Sequence, residues 1–465
     1  MNVKQPIQPI QPIQPMTSMQ PTQPTQPMTK AWTYDLKQVG PDILRIFSLM
    51  FHDPVSDELQ SLLKKCNLTN KKWKCDKNVH SVLKYVSGTL KCDELKTIGL
   101  LRSLVLDQYG KIMAYSPPKC IIPSTDELDD RFSNDNIIVD EFVEGTMINV
   151  FYHRPNGQDD GAGWELATKS CVGANIVFHS VANKPEPEPE PKEAAEPTAT
   201  KEPTEPKKTF RRMFLECMNA SRLEFDALQK DCSYSFVMQH PNNHIVRQIR
   251  APALYLIAVY KIDNENLVVE EQCRNEHLAK INESSATLVR LPLQFTDVWL
   301  RQLQDIYTSL NAPYDFPGLV CRERSTGVRF KFRNPNYERI KNLHGSEPKL
   351  QFQYLSLRQQ GKGKVNDYLN LYPEHAAAFQ KSKDQLHAYT KQLFANYIGC
   401  YVKKDRPFPA EFKTHMFRLH EQYKEKREHI TLKKTIAYMN ALHPSHQMYA
   451  LNYGTRKACE KEKHD

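Results

Sequence analysis

The chain lacks a Cys-x-x-Cys pair and any apolar run long enough to cross a bilayer. Its 11 cysteines are scattered and odd in number, which suits free thiols in a reducing compartment better than a disulfide framework. Nothing resembles the four clustered ligands of a structural zinc site, so no metal site is expected. The longest strongly apolar run, residues 253–260, has the length of a strand and falls far short of the ~20 residues of a membrane helix. The start of the chain is polar and proline-rich, so no secretory signal is expected and the predicted location is intracellular, without a membrane partner. Charge of one sign is scarce too: 63 basic and 54 acidic side chains leave +9. Such an excess serves solubility, and serves nucleic-acid binding only when gathered on one face. Residues 401–465 carry 14 Lys/Arg and 8 Asp/Glu, so 14 − 8 = +6 falls in that last stretch.

At 465 residues the chain has room for two or three domains with their own cores. Residues 1–30 repeat Gln-Pro, and proline removes donors and fixes φ, so this tail is expected to be disordered and to offer at most a docking arm for other proteins. Residues 31–95 read as an N-terminal helical region: Pro41 and Asp42 suit a helix start, and Ser56 can cap the next helix. Residues 100–115 read as a hairpin and 137–152 as two short strands around a tight turn, with more strands near 164–168, 234–237, 254–262 and 318–333. Thr296 is the expected start of a helix carrying Trp299, Leu303 and Leu310. The Pro-Glu segment 184–208 cannot bury enough apolar surface to order itself and reads as a spacer inserted in a 96–342 domain. Beyond 345 the periodicity is helical, so 345–465 is expected to form a helical C-terminal domain on an α+β core of antiparallel sheets.

The ordered motifs of 100–340 resemble those of the bacteriophage-type RNA ligases, a family of covalent nucleotidyltransferases. Its first motif, Lys-x-Asp/Glu-Gly, carries the lysine that attacks ATP, and the tight turn Phe142-Val143-Glu144-Gly145 matches its last two positions while Phe142 stands at the lysine. A phenylalanine has no lone pair with which to attack phosphorus. The stretch from Arg102 to Lys119 resembles the lead-in, Thr168-Lys169 the segment in which a basic residue meets the nucleotide, and Phe236-Val237 the motif that usually reads Phe-Glu. Pro317-Gly318 stands for Glu-Gly, and Lys331-Phe332-Arg333 for Lys-x-Lys. Both glutamates are therefore absent, and with them the carboxylates that would help a divalent metal serve the phosphates. Alternation in the last strand puts Arg329, Lys331 and Arg333 on one face and Phe330 and Phe332 on the other.

The resemblance implies a nucleotidyltransferase (ATP-grasp-like ligase) core and a degenerate site. Catalytic residues: none. Candidate nucleotide or phosphate contacts are Arg102, Lys119, Glu144, Gly145, Lys169, Phe236, Lys331 and Arg333, and the degenerate positions are Phe142, Val237 and Pro317. Read as residues alone, the cations also fit a solvated surface, Phe236 a core position, and Gly145 a turn. The form of the first motif and the long helical end look closest to ligase-like proteins of large DNA viruses, which implies a virion or host cytoplasm as location. Three functions follow as expectations: an inactive ligase-like protein binding RNA or another nucleic acid or a nucleotide through a basic cleft; a structural or assembly protein of a virus particle; and an active ligase using ATP and Mg with its nucleophile moved to Lys119 or Lys169.

Overall fold

A computed structural model describes residues 32–461 except 76–77, 92, 122–135, 155–161, 178–207, 285, 297–299 and 346–348. The Gln-Pro tail, the 184–208 spacer up to residue 207, and Trp299 lie outside the described residues. The fold is α+β, with antiparallel sheets followed by a helical C-terminal region. Among the described residues, no helix is long and apolar enough to cross a membrane.

The chain enters as β1 (Trp32–Asp35) and continues through α1 (Pro41–His52) and α2 (Asp57–Lys65). Pro41 opens α1 where a missing N–H costs nothing, and the Ser56 hydroxyl caps α2 by accepting the Leu59 N–H at 3.3 Å. The helical expectation fails after residue 66. Residues 68–85 form the hairpin β2 (Leu68–Cys75) and β3 (Asn78–Tyr85), and β3 pairs with β4 (Leu104–Leu106), which pairs with β5 (Ile112–Tyr115). This four-stranded sheet runs across the expected boundary at 95. Asn67 makes the entry turn at φ 52.

The strands β6 (Ile137–Glu141) and β7 (Thr146–His153) both exist, but they do not pair with each other. β7 joins β8 (Gly163–Ala167) and β9 (Cys232–Gln239), which follows α3 (Phe210–Ala220). The same sheet continues through β10 (Ala253–Asp263) and β11 (Val268–Gln272) to β1, in the order β1-β11-β10-β9-β7-β8. After α4 (Arg274–Ser284), β12 (Gln294–Phe295) and α5 (Leu300–Tyr307), the hairpin β13 (Gly318–Glu323) and β14 (Arg329–Arg333) completes a separate sheet, β12-β6-β13-β14. Leu310 lies beyond α5 and is exposed. Residues 142–145 thus carry the chain from one sheet to another. The crossing is tight: a Cβ on Gly145, which sits at φ +146, would stand 2.7 Å from Val237 Cγ1 and closer still to the Met238 carbonyl oxygen.

The main core packs α3 and α4 on one face of the six-stranded sheet, around Phe214, Tyr234, Phe236 and Leu256. At the sheet's other end the buried Arg322–Glu271 ion pair also receives the Tyr34 hydroxyl, fastening β1. The helical region comprises α6 (Pro335–His344), α7 (Leu350–Gln360), α8 (Lys362–Leu371), α9 (Ala376–Tyr397), α10 (Lys413–Lys426), α11 (Leu432–Ala441), α12 (Pro444–Leu451) and α13 (Tyr453–Lys461). Of the two apolar stripes the sequence offers as packing faces, Leu386, Tyr389 and Leu393 on α9 are in its core, whereas on α11 Met439 is buried but Leu432 and Ile436 are exposed.

Where the small sheet meets the large one, His80 of β3 and His153 of β7 touch, Nε2 to Nδ1 at 3.1 Å. Burial, and then the neighbouring ring, pull His80 down from 6.5 to about 4. The folded state therefore favours the neutral ring, and this stability is complete above the unfolded value of 6.5 and is lost as pH falls towards 4. That gap is worth roughly 3 kcal/mol. Urea midpoints of the wild type and His80→Phe, measured between those pH values, should diverge with the wild type losing more on acidification. A constant difference would show that the pair does not titrate.

Candidate phosphate-binding site

β14 lays down the first part of the site. Its alternation holds Phe330 fully buried in the small core and turns Lys331 to the other face, where Nζ stands 5.3 Å from the centroid of the Phe142 ring. Phe142 is fixed by its N–H, which donates to the Gly318 carbonyl at 2.9 Å. Gly318 itself tolerates no side chain, because at φ +130 a Cβ would strike the Phe332 carbonyl.

The lead-in segment runs beside β14. The Ile121 N–H donates to the Arg329 carbonyl at 3.0 Å, and the Lys331 N–H donates to the Ile121 carbonyl at 3.1 Å. Two arginines grip the prolines before it: Arg102 donates to the Pro117 carbonyl at 3.3 Å and buried Arg329 to the Pro118 carbonyl at 3.4 Å. This clamp brings Lys119 alongside Arg102 and Arg333. Lys169 joins Arg102 and Lys119 from the turn after β8, which Thr168 closes by accepting the Cys171 N–H at 3.1 Å. Its Nζ lies 5.4 Å from the Tyr85 ring centroid, and Lys84 donates to Ser170 next to it.

The cations sense one another. Burial, then Arg102, Lys84 and Lys119, push the Lys169 amine down to about 8. Burial also leads for Lys331, with Arg333, Arg102 and Lys119 adding to it against an opposing Cys120, and it too falls to about 8. Lys119 is lowered by burial, Arg102 and Arg333. Residues from 102 to 333 thus converge on one site. Arg333 is already engaged, at 2.6 Å from Glu338. Among the described residues, the ammonium groups of Lys119, Lys169 and Lys331 have no hydrogen-bond or ion-pair partner. Three unneutralised ammonium groups held together in a half-buried site raise the energy of the empty protein, and a polyanion offsets that cost.

The other candidates lie elsewhere or are occupied. The Glu144 carboxylate accepts the N–H groups of Ile245 at 2.9 Å, Val246 at 3.0 Å and Arg247 at 3.0 Å, so its oxygens are taken up by the chain and not open to a ribose. Gly145 serves the sheet-to-sheet crossing. Phe236 is fully buried in the main core. Val237 sits among Val143, Tyr255 and Ile257, an apolar patch. Pro317 contributes its carbonyl to the Asn334 N–H at 3.0 Å. The residues at 237 and 317 do not fit a divalent metal.

Sequence reasoning passed over Cys120. Burial pushes its thiol up, but Arg329, Lys331, Arg102 and Arg322 outweigh that and hold it below the ordinary thiol value. No local pattern marks it, since its neighbours come from distant strands. A cleft of about 570 Å³ opens elsewhere, lined among others by Tyr152, Lys230 and Ser233, and none of the converging cations lines it.

No family model matches the chain, and no curated protein does. Solved structures do match. Among them are ligases of RNA and DNA. An archaeal ATP-dependent RNA ligase is 12% identical, with 88% of this chain and 79% of that one covered at a TM-score of 0.36. A putative ATP-dependent DNA ligase from Aquifex aeolicus is 14% identical, covering 80% and 81% at 0.34. A Naegleria gruberi RNA ligase mutant with ATP and Mn is 11% identical, covering 43% and 50% at 0.26, so the chain spans about half the length of that relative. At such scores no residue role transfers, and the functional reading rests on the site's own geometry.

Proposed function

We propose that this chain binds the phosphates of nucleic acid non-covalently, as a catalytically inert ligase-like protein, through the cleft of Arg102, Lys119, Lys169, Lys331 and Arg333. One observation supports the reading: the Lys331 ammonium, which has no hydrogen-bond or ion-pair partner among the described residues, lies over the ring of Phe142, the residue standing where the resemblance puts a nucleophile, and Arg102 and Lys119 lie near both Lys331 and Lys169. Phosphate oxygens would accept from these ammonium groups without any base being read, so binding weakens steeply with salt. The resemblance to RNA ligases makes RNA the first nucleic acid to try.

A specific observation favours one competing reading. With their amines lowered to about 8, Lys169 and Lys331 have a larger neutral fraction at pH 7.5 than an ordinary lysine. Either, as the free amine, would attack the α-phosphate of ATP, form a P–N bond and expel pyrophosphate. Incubation with α-labelled ATP and Mg or Mn, followed by denaturing electrophoresis, separates the readings. We expect no labelled band, alongside salt-sensitive binding of RNA. A covalent band lost in Lys169→Ala or Lys331→Ala would overturn the inert reading.

A further inference from the structure

We propose that the helical C-terminal region carries a stacking platform for single-stranded nucleic acid, formed by Phe408, Tyr401, His420, Tyr423 and His429. This rests on the nucleic-acid reading above and adds a contact made by other residues. The rings form a continuous row. Phe408 meets Tyr401 edge-on at 5.0 Å between centroids, and Tyr401 stacks on His420 at 4.0 Å with 17° between the planes. His420 stacks on Tyr423 at 5.6 Å and 22°, and Tyr423 on His429 at 6.3 Å and 29°. Tyr397 backs the row from the core side, at 5.2 Å from Tyr401.

The row is only partly sealed. Phe408 is 46% exposed, Tyr401, His420 and Tyr423 are half-buried, and His429 is exposed. Exposed cations flank it. Lys403 and Lys404 lie two and three residues after Tyr401, and Lys424, Lys426 and Arg427 lie within one helical turn of His420 or Tyr423 on α10 or at its end. Glu421 and Glu425 share the helix and temper this charge, and Arg406 is held by Asp405 at 2.9 Å. The inner rings cover one another's faces and hold the two exposed end rings, Phe408 and His429, in place, and such rings beside cations fit a strand whose bases are free to stack on them and whose phosphates run past ammonium groups. A duplex hides its bases from such rings, so charge complementarity together with the exposed end rings selects the single strand.

The test uses the full chain and fluorescence anisotropy, with a labelled oligouridylate alone and annealed to oligoadenylate. The variants are Tyr401→Ala with Phe408→Ser, and Lys424→Glu with Lys426→Glu. We expect the ring variant to bind the single strand about tenfold more weakly, the order of one lost stacked base, with duplex binding changed less than about twofold. We expect the charge variant, altered only at exposed positions, to weaken single-strand binding by a similar factor. Unchanged single-strand affinity in a ring variant that melts as the wild type does would overturn the proposal. Should the ring variant not fold, unchanged affinity in the charge variant would overturn it equally. If Lys169→Ala with Lys331→Ala abolishes binding while both platform variants bind normally, the platform fails and the cleft stands. If the wild type binds no RNA, both fail.

Discussion

Lys331→Met is expected to make the protein more stable and a weaker binder of RNA. The wild-type amine falls from 10.5 to about 8 because it is half-buried beside Arg333, Arg102 and Lys119. Counted in full, that gap is roughly 3 kcal/mol. Solvent screening at a half-buried site leaves on the order of 1–2 kcal/mol as the gain on removing the charge. Methionine keeps the apolar stem and a sulfur against the Phe142 ring. Losing one phosphate contact should cost about tenfold in RNA affinity at low salt. The sign with pH follows from the direction of the change. The folded value lies below the unfolded one, so the penalty is complete below about 8 and is relieved as pH rises from there towards 10.5. Wild-type stability should climb through that window while RNA binding falls, and Lys331→Met should flatten both trends. Urea unfolding and anisotropy across this range measure the two quantities. A destabilised variant with undiminished RNA affinity would mean that Lys331 is a packing residue.

Glu144→Ala should show the largest loss of stability. The carboxylate is buried and is the acceptor for three successive backbone N–H groups, from Ile245 to Arg247. That loop is also where the helical region docks: Val246 packs with Tyr337 and Ile340, and the Tyr372 hydroxyl donates to the Ile245 carbonyl. Burial and the adjacent Glu144 carboxylate push the Tyr337 hydroxyl up, which places it at the same junction. Alanine leaves several buried donors unpaired, at about 3 kcal/mol or more. Glu144→Gln retains one acceptor oxygen and should lose about half as much. Urea midpoints, with limited proteolysis to see whether the helical region loosens first, check both. If Glu144→Ala kept full stability and lost only nucleotide affinity, the carboxylate would be a ligand contact after all.

The sequence made the cation positions legible where a local rule applies. Alternation in 329–333 separates Lys331 from Phe330 and Phe332, and the structure keeps that separation. Convergence is not a local property. Nothing in the spacing of Arg102, Lys119, Lys169 and Lys331 says that they meet, and only their ordered resemblance to ligase motifs hinted at it. The strands on either side of 142–145 were visible, but their entry into different sheets depends on distant partners, β12 and β13 for the first and β9 for the second. β2 was missed for a compositional reason. As an edge strand it alternates weakly and carries Lys71, Lys72 and Lys74 where an inner strand would carry apolar residues. The hold of Glu144 on 245–247 was not legible because its partners are backbone groups, which leave no mark in a sequence.

The decisive measurement is the salt dependence of single-stranded RNA binding by the wild type and by Lys119→Ala/Lys169→Ala/Lys331→Ala. For three phosphate contacts, the slope of log affinity against log salt should shrink by about 2 in the triple variant, at roughly 0.7 per contact. Equal slopes in a folded triple variant, or wild-type binding indifferent to salt, would contradict a cleft built to hold phosphates.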